Sequence, residues 1–214
     1  DEKGNLLEEV KCDASGELTI KNTRKYDEKG NLLEEMKYGV GGIPFYKFIS
    51  KNGEEGNRLE EVMNYGLTSK ITSRYDEKGN KLEEVKYNAS GKLISKATFK
   101  HDEKGDLLEI VRYDAYGEPT LNFTSKYDEK GNQLEEVKYN AGGKLISKAT
   151  FKHDEKGNLT EEVKYGVGGK LISKSISKYD GKGNKLEEVK YDASGQLTFK
   201  SSYKYDMKGN QLEW

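Results

Sequence analysis

The chain has 214 residues, with 37 Lys and Arg against 38 Asp and Glu, and 33% hydrophobic against 35% charged residues. That balance excludes an ordinary thick core, and the interleaved signs show no basic stripe of the kind nucleic acid calls for. No apolar run approaches the roughly 20 residues of a membrane-spanning helix, and Cys12, the single cysteine, excludes an intrachain disulfide.

In chain order, the first recognisable element is a turn. Asp27-Glu28-Lys29-Gly30-Asn31, preceded by Tyr26, returns whole or degraded with its first position at Asp1, Asp27, Gly53, Asp76, Asp102, Asp128, Asp154, Asp180 and Asp206, a spacing of 26 broken once by 23. A fixed period in this range marks a repeat architecture. Each unit has two similar halves. The first reads Asp27-Glu28-Lys29-Gly30-Asn31-Leu32-Leu33-Glu34-Glu35-Met36-Lys37-Tyr38, and the second is clearest from Asn88-Ala89-Ser90-Gly91 through Leu93-Ile94-Ser95 to His101. Asp or Asn starts a turn by bonding nearby backbone, and Gly at the fourth place supplies positive φ.

Each half is therefore expected to be one strand of eight to ten residues plus one tight turn. The fold is all-β: about eight two-stranded units of one repeat array over residues 1–214, forming a long antiparallel meander without substantial helix, single-layer or curled into a spiral. Seventeen or eighteen strands are expected. The chain opens in a turn and is expected to end inside a strand at Trp214, as a piece of a longer array. Pro44 and Pro119 share one phase, the first strand residue after the second turn, where a missing N–H costs little. The unit near 52–75 is irregular: Asn52-Gly53 replaces Tyr-Asp, Asn64 looks inserted, and Tyr65-Gly66-Leu67 is three residues short, so a tighter turn or a bulge is expected there. Gly39-Val40-Gly41-Gly42 is matched by Gly166-Val167-Gly168-Gly169, and residues 96–101 recur unchanged at 148–153.

Alternation across a strand puts Leu33 on the face of Tyr26 near one edge. It puts Val85 and Tyr87 on the opposite face with Ile94, near the other edge. Each face then has one apolar stripe and one Glu/Lys zone.

The chemistry-bearing residues follow the repeat rather than depart from it. His101 and His153 stand where Tyr75, Tyr127, Tyr179 and Tyr205 stand, an aromatic exchange ahead of a turn, and no serine or cysteine accompanies them to make a triad. The Glu pairs, such as Glu34-Glu35 and Glu83-Glu84, point to opposite faces in every unit and read as ion pairs. Asp-Glu-Lys-Gly-Asn lacks the ligand ladder of a calcium hand. No catalytic, cofactor or metal residues are expected. The tyrosines that close the first half, Tyr38, Tyr87, Tyr113, Tyr139, Tyr165 and Tyr191, are the candidate surface for a ligand or partner, since Tyr offers an apolar body with a polar tip. Cys12 takes the same place in the first unit.

Tyr26-Asp27-Glu28-Lys29-Gly30-Asn31-Leu32, and half-repeats such as Tyr191-Asp192-Ala193-Ser194-Gly195-Gln196-Leu197, resemble the YD repeat of the bacterial RHS and insecticidal-toxin proteins over essentially the whole chain. The resemblance implies a β-sheet strip that spirals into a hollow shell or decorates a cell surface. Lys usually replaces the Arg that family repeats carry before Tyr-Asp, although Arg74-Tyr75 keeps it, and no cleavage segment or toxin tail is present in these residues. The expected role is a non-enzymatic scaffold of a bacterial secreted or cell-surface protein, as spacer, adhesin stalk or shell wall. The alternative is a carbohydrate- or protein-binding module using the Tyr rows. Partners are expected to be protein or glycan at a surface, or further repeats and domains of a parent protein, with no nucleic acid and no membrane insertion.

Overall fold

The computed structural model describes residues 1–66, 69–206 and 208–212. Its strands are β1 (Glu8–Cys12), β2 (Leu18–Tyr26), β3 (Leu32–Tyr38), β4 (Pro44–Asn52), β5 (Arg58–Tyr65), β6 (Ser69–Tyr75), β7 (Lys81–Asn88) and β8 (Leu93–His101). They continue as β9 (Leu107–Tyr113), β10 (Pro119–Tyr127), β11 (Gln133–Asn140), β12 (Leu145–His153), β13 (Leu159–Tyr165), β14 (Leu171–Tyr179), β15 (Lys185–Asp192) and β16 (Leu197–Ser202). Sheet order follows chain order throughout, an antiparallel meander. Among the described residues the only helical elements are two 3-10 turns, Val40–Gly42 and Val167–Gly169.

The meander, the turn phases and the strand-opening prolines match the sequence expectation. Strand number differs: among the described residues sixteen strands of five to nine residues are formed. Beyond β16 a single Tyr205–Gln211 bridge starts the next pairing, and the expected strand end at Trp214 lies outside the described residues. Ten of the strands have eight or nine residues, within the expected length; β1, β3, β6, β9, β13 and β16 are shorter.

The chain divides into two compact units, Asp1–His101 with Val111–Pro119, and Asp102–Ile110 with Thr120–Trp214. In the first, the turn at 27–31 shows why these residues fold as they do. Gly30 N–H donates to Asp27 O at 3.1 Å and Asp27 N–H to Asn31 O at 2.9 Å. The Asp27 carboxylate accepts from Lys29 N–H at 2.9 Å, Asn31 N–H at 2.8 Å and the Asn31 amide at 3.0 Å. Gly30 has φ 86°, open to glycine at little cost. The second unit repeats this at 128–132, 154–158 and 180–184.

Turns also couple to turns. In the first unit Lys3 Nζ donates to Glu28 O and Lys29 Nζ to Glu54 O. In the second, Lys104 donates to Glu129 O, Lys130 to Glu155 O at 2.8 Å and Lys156 to Gly181 O. The third turn breaks the series, with Glu55 in the lysine position; there the Asn57 amide supplies the rung, donating to Glu77 O at 2.9 Å. Packing between turns is close: a Cβ added to Gly157 would lie 3.0 Å from Asn132 Oδ1.

The turn carboxylates give a pH prediction. The Asn31 amide holds the Asp27 carboxyl below its ordinary range, and the Asn80, Asn132, Asn158, Asn184 and Asn210 amides do the same for Asp76, Asp128, Asp154, Asp180 and Asp206. A carboxyl depressed in the folded state stabilises above its unfolded pKa of about 3.9, and that stabilisation is lost as pH falls through the folded value. The urea midpoint is therefore expected to drop steeply below about pH 4. Because neutral amides and backbone N–H groups provide the leading effect, added salt should leave the drop in place. A midpoint level into strong acid would contradict this account.

Candidate functional site

Register decides what each face offers. Each regular hairpin carries one extra residue where the strand leaves the turn: Tyr38 pairs with Pro44 and Lys37 with Tyr46, leaving Phe45 over. At the other edge Tyr26 pairs with Leu32 and Lys25 with Glu34, leaving Leu33 over. These bulges keep Glu34, Met36 and Tyr38 on one face, here the first face, with Lys25, Thr23 and Lys21 opposite them. Arg24, Glu35, Phe48 and Tyr46 lie on the second. Val85 and Tyr87 share the first face and Tyr26 lies on the second, as the alternation predicts.

The first face has a buried midline of valines, Val85 in the first unit and Val137, Val163 and Val189 in the second. Toward the charged turns, glutamates bridge lysines of both flanking strands. Glu34 reaches Lys25 at 3.1 Å and Lys47 at 3.5 Å; Glu161 reaches Lys152 at 2.8 Å and Lys174 at 2.7 Å. The Lys25 hydrogen bond lowers the Glu34 pKa, and that of Lys152 lowers Glu161.

Toward the glycine-rich turns lie the candidate tyrosines. Tyr38 is opposite Lys21, Tyr87 opposite Lys70, Tyr139 opposite Asn122, Tyr165 opposite Lys148 and Tyr191 opposite Lys174. Tyr113 ends β9. All six are half-buried. The Lys70 ammonium lies 5.8 Å from the Tyr87 ring centre, and beside Tyr191 a cavity of about 340 Å3 is walled by Leu171, Ile176, Lys174 and Asp192. Tyrosines of the second face differ: Tyr26 donates its hydroxyl to Leu6 O at 3.3 Å, Tyr179 to Leu159 O at 3.0 Å and Tyr205 to Lys185 O at 2.9 Å. Those hydroxyls tie strands together, whereas the Tyr38 hydroxyl reaches only Met36 Sδ of its own strand, at 3.4 Å.

Neither a protein-family model nor a curated protein matches the chain. Solved structures do match. A porin-like protein from Bacteroides uniformis is similar over 90% of this chain and 91% of that one, at 12% identity and a TM-score of 0.41. TcdB2-TccC3 without its hypervariable C-terminal region is similar over 96% of this chain, at 11% identity and a TM-score of 0.25, and the TcdB2-TccC3-Cdc42 structure gives the same values. This chain spans 16% of each of those two chains.

Sequence reasoning missed how charge is sorted. Interleaved along the chain, the signs separate once register is known: the first face of the second unit carries Lys126, Lys148, Lys152, Lys174, Lys178 and Lys200 against Glu109, Glu135, Glu161 and Glu187. The second face keeps Glu136, Glu162 and Glu188 beside Lys138, Lys164 and Lys190, at 2.9, 3.1 and 3.2 Å. The signal was present in the residue count between Gly and Tyr, which fixes where the bulge falls.

The irregular unit departs from the rest. Tyr65 pairs directly with Ser69 without a bulge, which is the tighter turn expected; Leu67 lies outside the described residues. The extra residue in β5 gives Asn64 the first-face place of a tyrosine, and Tyr65, one place on, falls on the second face, its ring 5.6 Å edge-on from Tyr46. Nearby, Glu61 is buried and accepts from Tyr75 at 2.6 Å and Arg58 at 2.7 Å; burial, then Glu61, raises the Tyr75 pKa. A cavity of about 660 Å3 lies between the turns at 53–57 and 76–80, lined by Glu54, Glu55, Glu77, Lys78 and Leu59 among others.

The histidines sit on the second face at the charged-turn edge, each with a buried Nδ1 that has no protein partner. Two residues before them stand Phe99 and Phe151, where Ser73, Ser125 and Ser177 precede Tyr75, Tyr127 and Tyr179. Small Ser goes with large Tyr, and large Phe with smaller His, which conserves volume in the row.

Proposed function

We propose that the chain is a non-catalytic repeat scaffold of a bacterial secreted or cell-surface protein, a spacer, stalk or wall. The observation that carries this reading is the repetition of the bonding itself. The lysine-to-carbonyl rung and the Lys–Glu–Lys bridge recur in unit after unit, so these lysines and glutamates are engaged in holding neighbours together. Placement outside the bacterial cell is supported by the likeness of Tyr26-Asp27-Glu28-Lys29-Gly30 to the YD motif.

A second reading, a binding module for glycan or protein, is favoured by one feature: first-face tyrosines set opposite lysines, a combination suited to an acidic partner with a stacking surface. A glycan array and a surface-protein overlay probed with the chain and with a Tyr87→Ala, Tyr139→Ala, Tyr191→Ala variant distinguish the two. The scaffold reading expects no signal from either form. Binding that vanishes in the variant while its circular dichroism is unchanged would establish the module and end the pure-scaffold reading.

A further inference from the structure

The hairpin joining β3 to β4 in the first unit breaks the charged surface. Its turn, residues 39–43, leaves Val40 67% and Ile43 68% exposed, with Phe45 48% exposed just below. No acidic residue occurs between Glu35 and Glu54, while Lys37, Lys47 and Lys51 do. Chain chemistry changes in order along the hairpin: Val40 and Ile43 at the tip, then Tyr38 and Phe45, then Lys37 with Tyr46, then Lys47. At about 3.4 Å per residue the lysines begin roughly 7–10 Å behind the tip. Lys37 lies 4.8 Å from the Tyr46 ring centre and 3.4 Å from Glu35, and Lys47 lies 3.5 Å from Glu34, both acids being farther from the tip than their lysines.

We propose that this hairpin tip docks on an anionic lipid surface, seating Val40, Ile43 and Phe45 at the boundary of headgroups and acyl chains and placing Lys37 and Lys47 among the phosphates. The layering argues for a bilayer over a protein groove. Apolar tip, amphipathic aromatic and cation follow one another in the order of a membrane interface, over the 5–10 Å to which interfacial elements sink. Two glycines with φ 70° and 72° hold the turn in shape, so little ordering cost attends docking. Among the described residues no helix is long and apolar enough to cross a bilayer; docking at the surface requires none.

The repeat itself supplies substitutions the turn tolerates. Ala14 and Glu17, and again Ala115 and Glu118, occupy the turn places of Val40 and Ile43. The full chain is incubated with vesicles of phosphatidylcholine, with and without phosphatidylglycerol, and sedimented. Retention on the anionic vesicles is expected, falling at least tenfold for the Val40→Ala, Ile43→Glu variant, while Val167→Ala in the related second-unit turn retains binding. A Phe45→Trp variant should shift its emission to the blue on the same vesicles. No retention of the unsubstituted chain, or undiminished retention of the double variant, overturns the proposal; neither result bears on the scaffold reading.

Discussion

Deleting Ile146 is expected to abolish native pairing in the second unit, whereas Ile146→Thr leaves it in place. Tyr139 pairs with Leu145 and Lys138 with Ser147, so Ile146 is the extra residue of that bulge. Without it either the 140–144 turn must give up its closing bonds or every residue from Ser147 onward must change face. A one-residue slip exchanges the two surfaces completely. Lys148 would leave Glu135, which it reaches at 2.5 Å, and Thr150 would leave its place beside Val163. The loss should be on the order of 4 kcal/mol, at the upper end for a single change. The substitution has a precedent in Thr19, Thr120 and Thr198, which hold the same phase. Urea unfolding followed by circular dichroism, with hydrogen exchange to locate the loss, reads both. Equal stability of deletion and parent would show that the bulge does not set the register.

Phe48→Ala should cost about 3 kcal/mol, the low end of the roughly 3–5 observed for buried Phe. Phe48 is 5% exposed in a sheet whose strands pair in chain order. It is covered by its own neighbours, Glu35 and Met63 directly opposite on the flanking strands, with the Arg58 guanidinium 5.0 Å from the ring centre. These are long, adaptable side chains, and the charged end of Arg58 stands over the ring itself, paired with Glu61 at 2.7 Å. Because they can relax inward, the cavity left by alanine closes in part, which keeps the cost at the lower bound. A lower midpoint with an unchanged urea slope is the expected result; a cost under about 1 kcal/mol would mean that the cover contributes little.

Much of the fold was legible because turn chemistry is local. Asp27, Gly30 and Asn31 act on backbone within four residues, so the motif identifies its own structure wherever it stands, and the phase of Pro44 and Pro119 fixes the strand starts. The two-sided apolar stripes followed from alternation once both turn types were recognised. The candidate site was less legible. That Tyr165 would stand opposite Lys148, or that Glu161 would hold Lys152 and Lys174 at once, depends on cross-strand register, and register depends on bulges that a sequence shows only as a count. Tyr65 is the converse case: the extra Asn64 before it, visible in the sequence, moves it one place along and so to the opposite face. The burial of Phe48 was hidden for a related reason, since its cover comes from residues whose composition reads as solvent-exposed.

The turn rungs have a direction with a consequence for synthesis. In every regular rung the donor belongs to the earlier turn and the acceptor to the later one, as with Lys3 and Glu28 or Lys130 and Glu155. A chain emerging N-terminus first therefore offers each new hairpin a lysine already in place, about one repeat behind it. Contacts this local in sequence form early, and an array whose units meet only their neighbours can extend by addition to a finished end. The nascent protein needs no complete sheet before its first units are secure.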